Sequence, residues 1–295
     1  MRRSAIRHLA ISGESAIVVA AFFQTKTQIW SWATKQQLSE FETILDFGGR
    51  RLALTPDGSV CIAGSFHHGL AAYSVPEGRL LWHRKDIRKV QRITLNSSGR
   101  ELYCGVEGPS VFILETDTGT SLGKVARASS IIASHVSFHR LIVRRGDSYL
   151  VEGDRELEIP AASFSLLDAA FSSEAVCISE PRTGIRCIDL ASGNLVWHYK
   201  TLGANHIAFN SSDQRFYCVG GLDTKPHSSS LIRLANTFLE CDRVAELNQS
   251  STEAFTPSGA VLVTKEGEVY ETSSGNLLAV LEFPQCDYPD SGPSE

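Results

Sequence analysis

Leu52-Ala53-Leu54-Thr55-Pro56-Asp57-Gly58, continued by Ser59-Val60-Cys61-Ile62-Ala63-Gly64-Ser65, reads as two short apolar strands reversed by a tight turn. Proline presets one turn angle and glycine tolerates the other, so the chain turns back at low cost. The same grammar recurs in Ile93-Thr94-Leu95-Asn96-Ser97-Ser98-Gly99, in Ile207-Ala208-Phe209-Asn210-Ser211-Ser212-Asp213 and in Ala254-Phe255-Thr256-Pro257-Ser258-Gly259. Fainter copies are Leu9 to Glu14, Ala169 to Glu174 and Val136 to His139. Marking the residue after the last apolar position gives 12, 55, 96, 139, 172, 210 and 256, with gaps of 43, 41, 43, 33, 38 and 46. A repeat of this length made of strands and turns means stacked supersecondary units arranged as propeller blades. The expected fold class is all-β, a single seven-bladed propeller of four-stranded antiparallel blades.

The second unit sets the plan. Its strands are expected at Arg50 to Leu54, Ser59 to Ser65, Gly69 to Ser74 and Arg79 to His83, with Pro76-Glu77-Gly78 turning the third into the fourth. Equivalent glycines at 119, 193 and 275 mark the same turn in other units. An isolated four-stranded sheet cannot bury both faces; stacking its neighbours around a ring does. Ile6 to Ile11 reads as the first strand of unit one and Leu277 to Phe283 as the last strand of unit seven. No blade is then shared between the termini, and the ring is expected to close by face packing alone. This assigns residues 1–283 to the propeller. Residues 284–295, with three prolines and the acids Asp287, Asp290 and Glu295, form an acidic tail expected to be disordered. In unit four, Glu152, Asp154, Glu156 and Glu158 alternate as if along one outer strand, where acids discourage pairing with another chain.

Net charge is −5, so no general affinity for nucleic acid or anionic membrane is implied. The longest apolar run, Ala16 to Phe23, is too short to span a bilayer, and polar residues 12–15 interrupt any signal-peptide core. A cytoplasmic protein is expected. Of seven cysteines, Cys61, Cys104, Cys177 and Cys218 share one register in the second strand of their units, the pattern of small core residues rather than of a disulfide framework or zinc site.

Four positions before each marker stand His8, Arg51, Arg92, His135, Asp168, His206 and Thr252. One register in every unit places them together at the mouth of a central channel. The three histidines come from units one, four and six, well apart around a ring, so no metal and no cofactor is expected. His135 and His139 would stand about 13 Å apart on a strand, too far to share an ion. His67-His68 reads as a loop pair between the second and third strands. The connection between units two and three, His83-Arg84-Lys85-Asp86-Ile87-Arg88-Lys89-Val90-Gln91-Arg92, places five lysines and arginines around one acid. No aromatic residues interleave there, which argues against nucleic acid.

Thr55-Pro56-Asp57-Gly58 and Gln28-Ile29-Trp30-Ser31-Trp32-Ala33-Thr34 resemble WD-repeat units. Gly78-Arg79-Leu80-Leu81-Trp82 and Gly193-Asn194-Leu195-Val196-Trp197 resemble the blades of quinoprotein-type propellers. The likeness covers nearly the whole chain but is to blade grammar. No third strand ends in Trp-Asp and no first strand follows Gly-His, so the buried relay of WD repeats does not carry over, and neither does a quinone cofactor. The resemblance implies a ring used as a binding platform.

The expected function is a non-catalytic scaffold that binds another protein with an acidic surface, for example as an inhibitor or immunity-type partner. The expected contacts are Arg51, Arg84, Lys85, Arg88, Lys89 and Arg92. The competing reading is a channel-mouth hydrolase or lyase acting on a small anionic molecule, with Asp168 and His8, His135 or His206 as acid and base. No nucleophile elbow, phosphate loop, zinc-protease or dinucleotide motif is present.

Overall fold

The second and third strands of most units are apolar at consecutive positions, as in Val60-Cys61-Ile62-Ala63. Such strands need cover on both faces, and the computed structural model supplies it. It describes residues 3–286 except 5, 23–25, 46–50, 97, 109, 127–129, 135–140, 146–147, 153–156, 163–167, 202–203, 221–228, 235–240 and 248–252. The molecule is an all-β propeller built from four-stranded antiparallel blades, with no helix among the described residues. The described strands form seven four-stranded sheets and one two-stranded pair, each four-stranded sheet an up-and-down meander of consecutive strands.

Sheet one comprises Ile6–Ile11, Ile17–Phe22, Lys26–Ser31 and Gln36–Glu42. Sheet two comprises Leu52–Leu54, Val60–Ser65, Gly69–Ser74 and Leu80–Arg84, within two residues of the expected bounds. Sheet three comprises Val90–Leu95, Glu101–Val106, Ser110–Glu115 and Ser121–Ala126. Sheets four to seven begin at Ser130–Ser134, Asp168–Phe171, His206–Asn210 and Glu253–Phe255. The first strands of successive sheets touch in chain order, and that of sheet seven returns to that of sheet one.

Cores lie between sheets, and the pleat sorts residues into them. In the second strand of sheet two, Cys61 and Ala63 pack toward sheet one with Val19, Ala21 and Ile29, while Val60 and Ile62 pack toward sheet three with Leu102 and Cys104. Cys61, Cys104, Cys177 and Cys218 are all buried free thiols, as is Cys187. Burial pushes the thiols of Cys61 and Cys104 up to about 12. Cys177, Cys187 and Cys218 share the core between sheets five and six, so the shared register does bring two of its cysteines onto facing sheets.

Outer strands brace the next sheet at its turn. Trp82 lies over Gly119, whose φ is +68° and where a Cβ would sit 2.8 Å from the indole ring. The Trp82 indole donates to the Thr116 carbonyl at 2.7 Å. Glycine is therefore required at 119 twice over, by the left-handed backbone and by the ring above it.

Two expectations are corrected. Face packing is not the whole of ring closure: Arg3–Ser4 pairs antiparallel with Gln285–Cys286, in register Arg3 with Cys286 and Ser4 with Gln285. This clasp also extends ordered backbone into the segment read as tail; residues 287–295 lie outside the described residues. No four-stranded sheet mixes strands from the two ends, and sheets one and seven meet through a core in which Phe283 sits edge-on to Trp30, with ring centroids 5.6 Å apart. The acidic alternation of unit four does not run along one strand. Glu152 ends the third strand, Ser148–Glu152, and Glu158 lies in the fourth, Leu157–Pro160, where it accepts from the Ser148 hydroxyl; Asp154 and Glu156 lie outside the described residues.

Candidate functional site

Antiparallel meanders put all first-to-second and third-to-fourth turns at one end of the sheets. The second-to-third turns and the connections to the next sheet lie at the other. The candidate residues belong to this second end. They divide into a channel group and a loop group.

Of the channel group, Arg51 precedes the first strand of sheet two, Asp168 and His206 begin those of sheets five and six, and His8 and Arg92 are the third residues of those of sheets one and three. His8 is buried, Arg51 is only 4% exposed, and Asp168 is 5% exposed. Arg92 on sheet three donates from Nη2 to Asp168 Oδ1 on sheet five at 2.6 Å, past the first strand of sheet four. The second carboxylate oxygen, Asp168 Oδ2, accepts from the backbone N–H of Ile207 on sheet six at 2.8 Å. Asp168 therefore ties three sheets together with both oxygens engaged. His206 is partly exposed beside this tie. His135, His139 and Thr252 lie outside the described residues. Among the described residues no group of three or more histidines, cysteines or acids is placed to hold a metal ion.

The loop group lies on the connection from the outer edge of sheet two to the inner strand of sheet three. Of the six residues expected on an exposed basic patch, the structure separates three kinds. Arg51 is a correction: it is buried, with its guanidinium 5.8 Å from the centroid of the Phe66 ring. Arg92 is likewise withdrawn from the patch, held by Asp168. Arg84 is a brace: Nε and Nη2 donate to the two oxygens of Asp86 at 2.8 and 2.7 Å, and Nη1 donates to the Gly119 carbonyl at 2.6 Å. Those guanidinium bonds hold the Asp86 carboxyl below the usual carboxylate range.

Lys85, Arg88 and Lys89 remain exposed. Lys89 pairs with Glu107 at 2.8 Å and lies 5.9 Å from the Phe66 centroid. Arg88 donates from Nε to the Lys85 carbonyl at 3.1 Å, closing the turn. Lys85 and Arg88 make no ion pair among the described residues. Ile87, 1% exposed, anchors the loop in the core between sheets two and three. Next to it the turn between the second and third strands of sheet two exposes His67 and His68, the loop pair read from the sequence. The reading counted Asp86 in the loop but missed Glu107, the second acid that neutralises part of the patch, which lies on the corresponding turn of sheet three.

Solved structures with this architecture include a chain of Kuenenia stuttgartiensis hydrazine synthase, 11% identical over 93% of this chain and 94% of that one, with a TM-score of 0.66. U3-55K matches at 13% identity over 90% and 89% of the two chains, TM-score 0.68. The WD40 repeats of RRP9 match at 13% identity over 90% and 88%, TM-score 0.69. The chain shares the β-propeller fold of these structures. At these identities the likeness concerns the fold. No protein-family model matches the sequence, and no curated protein does. No helix among the described residues is long and apolar enough to cross a membrane.

Proposed function

We propose that this chain is a protein-binding scaffold, its seven sheets forming one closed seven-bladed ring that presents the loop end around Lys85 and Arg88 to a partner with an acidic surface. The observation that carries this reading is that these two cations are exposed and, among the described residues, without an ion-pair partner on an anchored loop, while Arg92 and Asp168 of the channel group are occupied in tying sheets together. A rigid ring with loops of variable chemistry suits recognition of another protein. The WD-repeat architecture of RRP9 is in keeping with such a role, and a disc that covers an enzyme's mouth as an inhibitor or immunity-type partner is one form of it. Opposite charges steer encounter and fix register, so the partner's contact surface is acidic. Affinity purification from native lysate with the wild type and with Lys85→Glu/Arg88→Glu tests the proposal. The expected result is a partner lost from the reversed variant while thermal unfolding is unchanged. A partner retained equally by both refutes the assignment of this face.

A further inference from the structure

The basic loop has a shape as well as a charge. Between Arg84 at the end of one sheet's outer strand and Val90 at the start of the next sheet's inner strand, the chain crosses from the rim toward the channel. That crossing spans three strand spacings, about 14 Å. Three of its five residues are cationic, and no other connection of this type carries more than two lysines or arginines. Among the connections between sheets, lysines and arginines are therefore densest on this one radial line.

The line is also held in place. The Lys89 N–H donates to the Phe66 carbonyl at 2.9 Å and the Glu107 N–H donates to the Lys89 carbonyl at 2.8 Å, so the inner end is fixed to the turns of both flanking sheets. Arg84 fixes the outer end through Asp86 and Gly119. Lys89 adopts a left-handed backbone, φ +57°, that turns its side chain onto Phe66 and Glu107. A prearranged row of cations loses little freedom on binding.

We propose that this row takes a short extended acidic segment of the partner, laid radially from the rim toward the channel. The inference rests on the loop-face reading above and specifies its ligand. An extended chain covers about 14 Å in roughly four residues, and alternate side chains share one side. Two carboxylates spaced by one residue would then face Lys85 and Arg88 together. The Arg88 nitrogens not bonded to the Lys85 carbonyl can meet a carboxylate with two parallel hydrogen bonds. Lys89, already paired with Glu107, marks the inner end of the row.

The test uses a fluorescein-labelled five-residue peptide with glutamate at its first, third and fifth positions, titrated against the full chain by fluorescence polarisation. Saturable binding that weakens with added salt is expected, with Lys85→Glu/Arg88→Glu about tenfold weaker or more. A peptide with glutamine in place of glutamate should not bind. Lys200→Glu, a charge reversal on the connection between sheets five and six, should bind as the wild type does. Equal binding of the glutamine peptide, or binding indifferent to the double reversal, overturns the inference. If lysate partners depend on Lys85 and Arg88 but the peptide does not bind, the loop face stands and the linear acidic segment is wrong. Loss of both results removes the loop-face reading as well.

Discussion

Phe283→Ala probes how the ring is held shut. Phe283 is 8% exposed and belongs to the core shared by sheets one and seven. Its ring meets Trp30 edge-on at 5.6 Å and Phe22 at 6.5 Å with interplanar angles of 84° and 79°. Truncating a buried phenylalanine costs about 3–5 kcal/mol through lost transfer energy and the cavity left behind. The two edge-on contacts account for roughly 0.5–1.5 kcal/mol each within that loss. For a domain of this size each kcal/mol corresponds to about 2–4 °C in Tm, so a fall of roughly 6 °C or more is expected. Urea unfolding followed by tryptophan fluorescence gives the free energy, and amide exchange gives its location. Exchange should rise first in sheets one and seven, because their contact is the seam where the two ends of the chain meet. Leu122→Ala is the control: that side chain is 54% exposed on an outer strand, so the change should stay within about 0.5 kcal/mol. A Phe283→Ala protein as stable as the Leu122→Ala control, or one whose exchange rises uniformly, would refute the reasoning that this seam closes the ring.

Gly119→Ala should destabilise by about 2 kcal/mol or more, since a left-handed alanine is strained and its methyl group meets Trp82; Gly108→Ala, at φ +117° with nothing within 4 Å of an added Cβ, bears the backbone term alone, and equal losses in denaturant unfolding would show that Trp82 simply moves aside. Asp168→Ala leaves Arg92 with a lost partner and should cost about 3–5 kcal/mol, whereas Arg92→Met/Asp168→Leu should recover most of it; a double variant as unstable as the single one contradicts the ion-pair account. Folding keeps the thiols of Cys61 and Cys104 protonated up to about pH 12, so the stability they support is intact below the unfolded thiol range and lost as pH rises toward 12. Each thiol should contribute a loss of ~1.4 kcal/mol per pH unit above about pH 9, and Cys61→Ala should flatten the dependence of the urea midpoint on pH; an unchanged slope would show that Cys61 does not titrate this way.

The repeat was legible because turn chemistry is local. Pro56-Asp57-Gly58 and the glycines at 78, 119, 193 and 275 act through their own backbone angles, so one chain suffices to place them. The alternate burial of Cys61 and Ile62 likewise follows from the two-residue pleat. What escaped depends on side-chain reach or on segments too short to carry a pattern. Arg92 and Asp168 occupied one register position and read as members of one ring, two units apart, yet nothing in sequence says that an arginine reaches past a sheet to a carboxylate 76 residues away. The clasp is two residues from each end, shorter than any periodicity. Leu80, Leu195 and Leu277 are apolar and stranded, which suggests core, but each lies on the outermost strand and is more than half exposed. Arg51 shows the reverse error: its charge suggested surface, and its place beside the channel buries it.

The account centres on recognition through the loop end of the disc rather than chemistry in its channel. The most direct test is calorimetric titration of the recovered partner into the wild type, Lys85→Glu/Arg88→Glu and Asp168→Asn over a series of salt concentrations. The account predicts that the double reversal abolishes the heat of binding and that Asp168→Asn, compared at a temperature where it is folded, binds with unchanged affinity and the same salt slope. Undiminished binding by the double reversal together with loss on Asp168→Asn would move the site into the channel and contradict it.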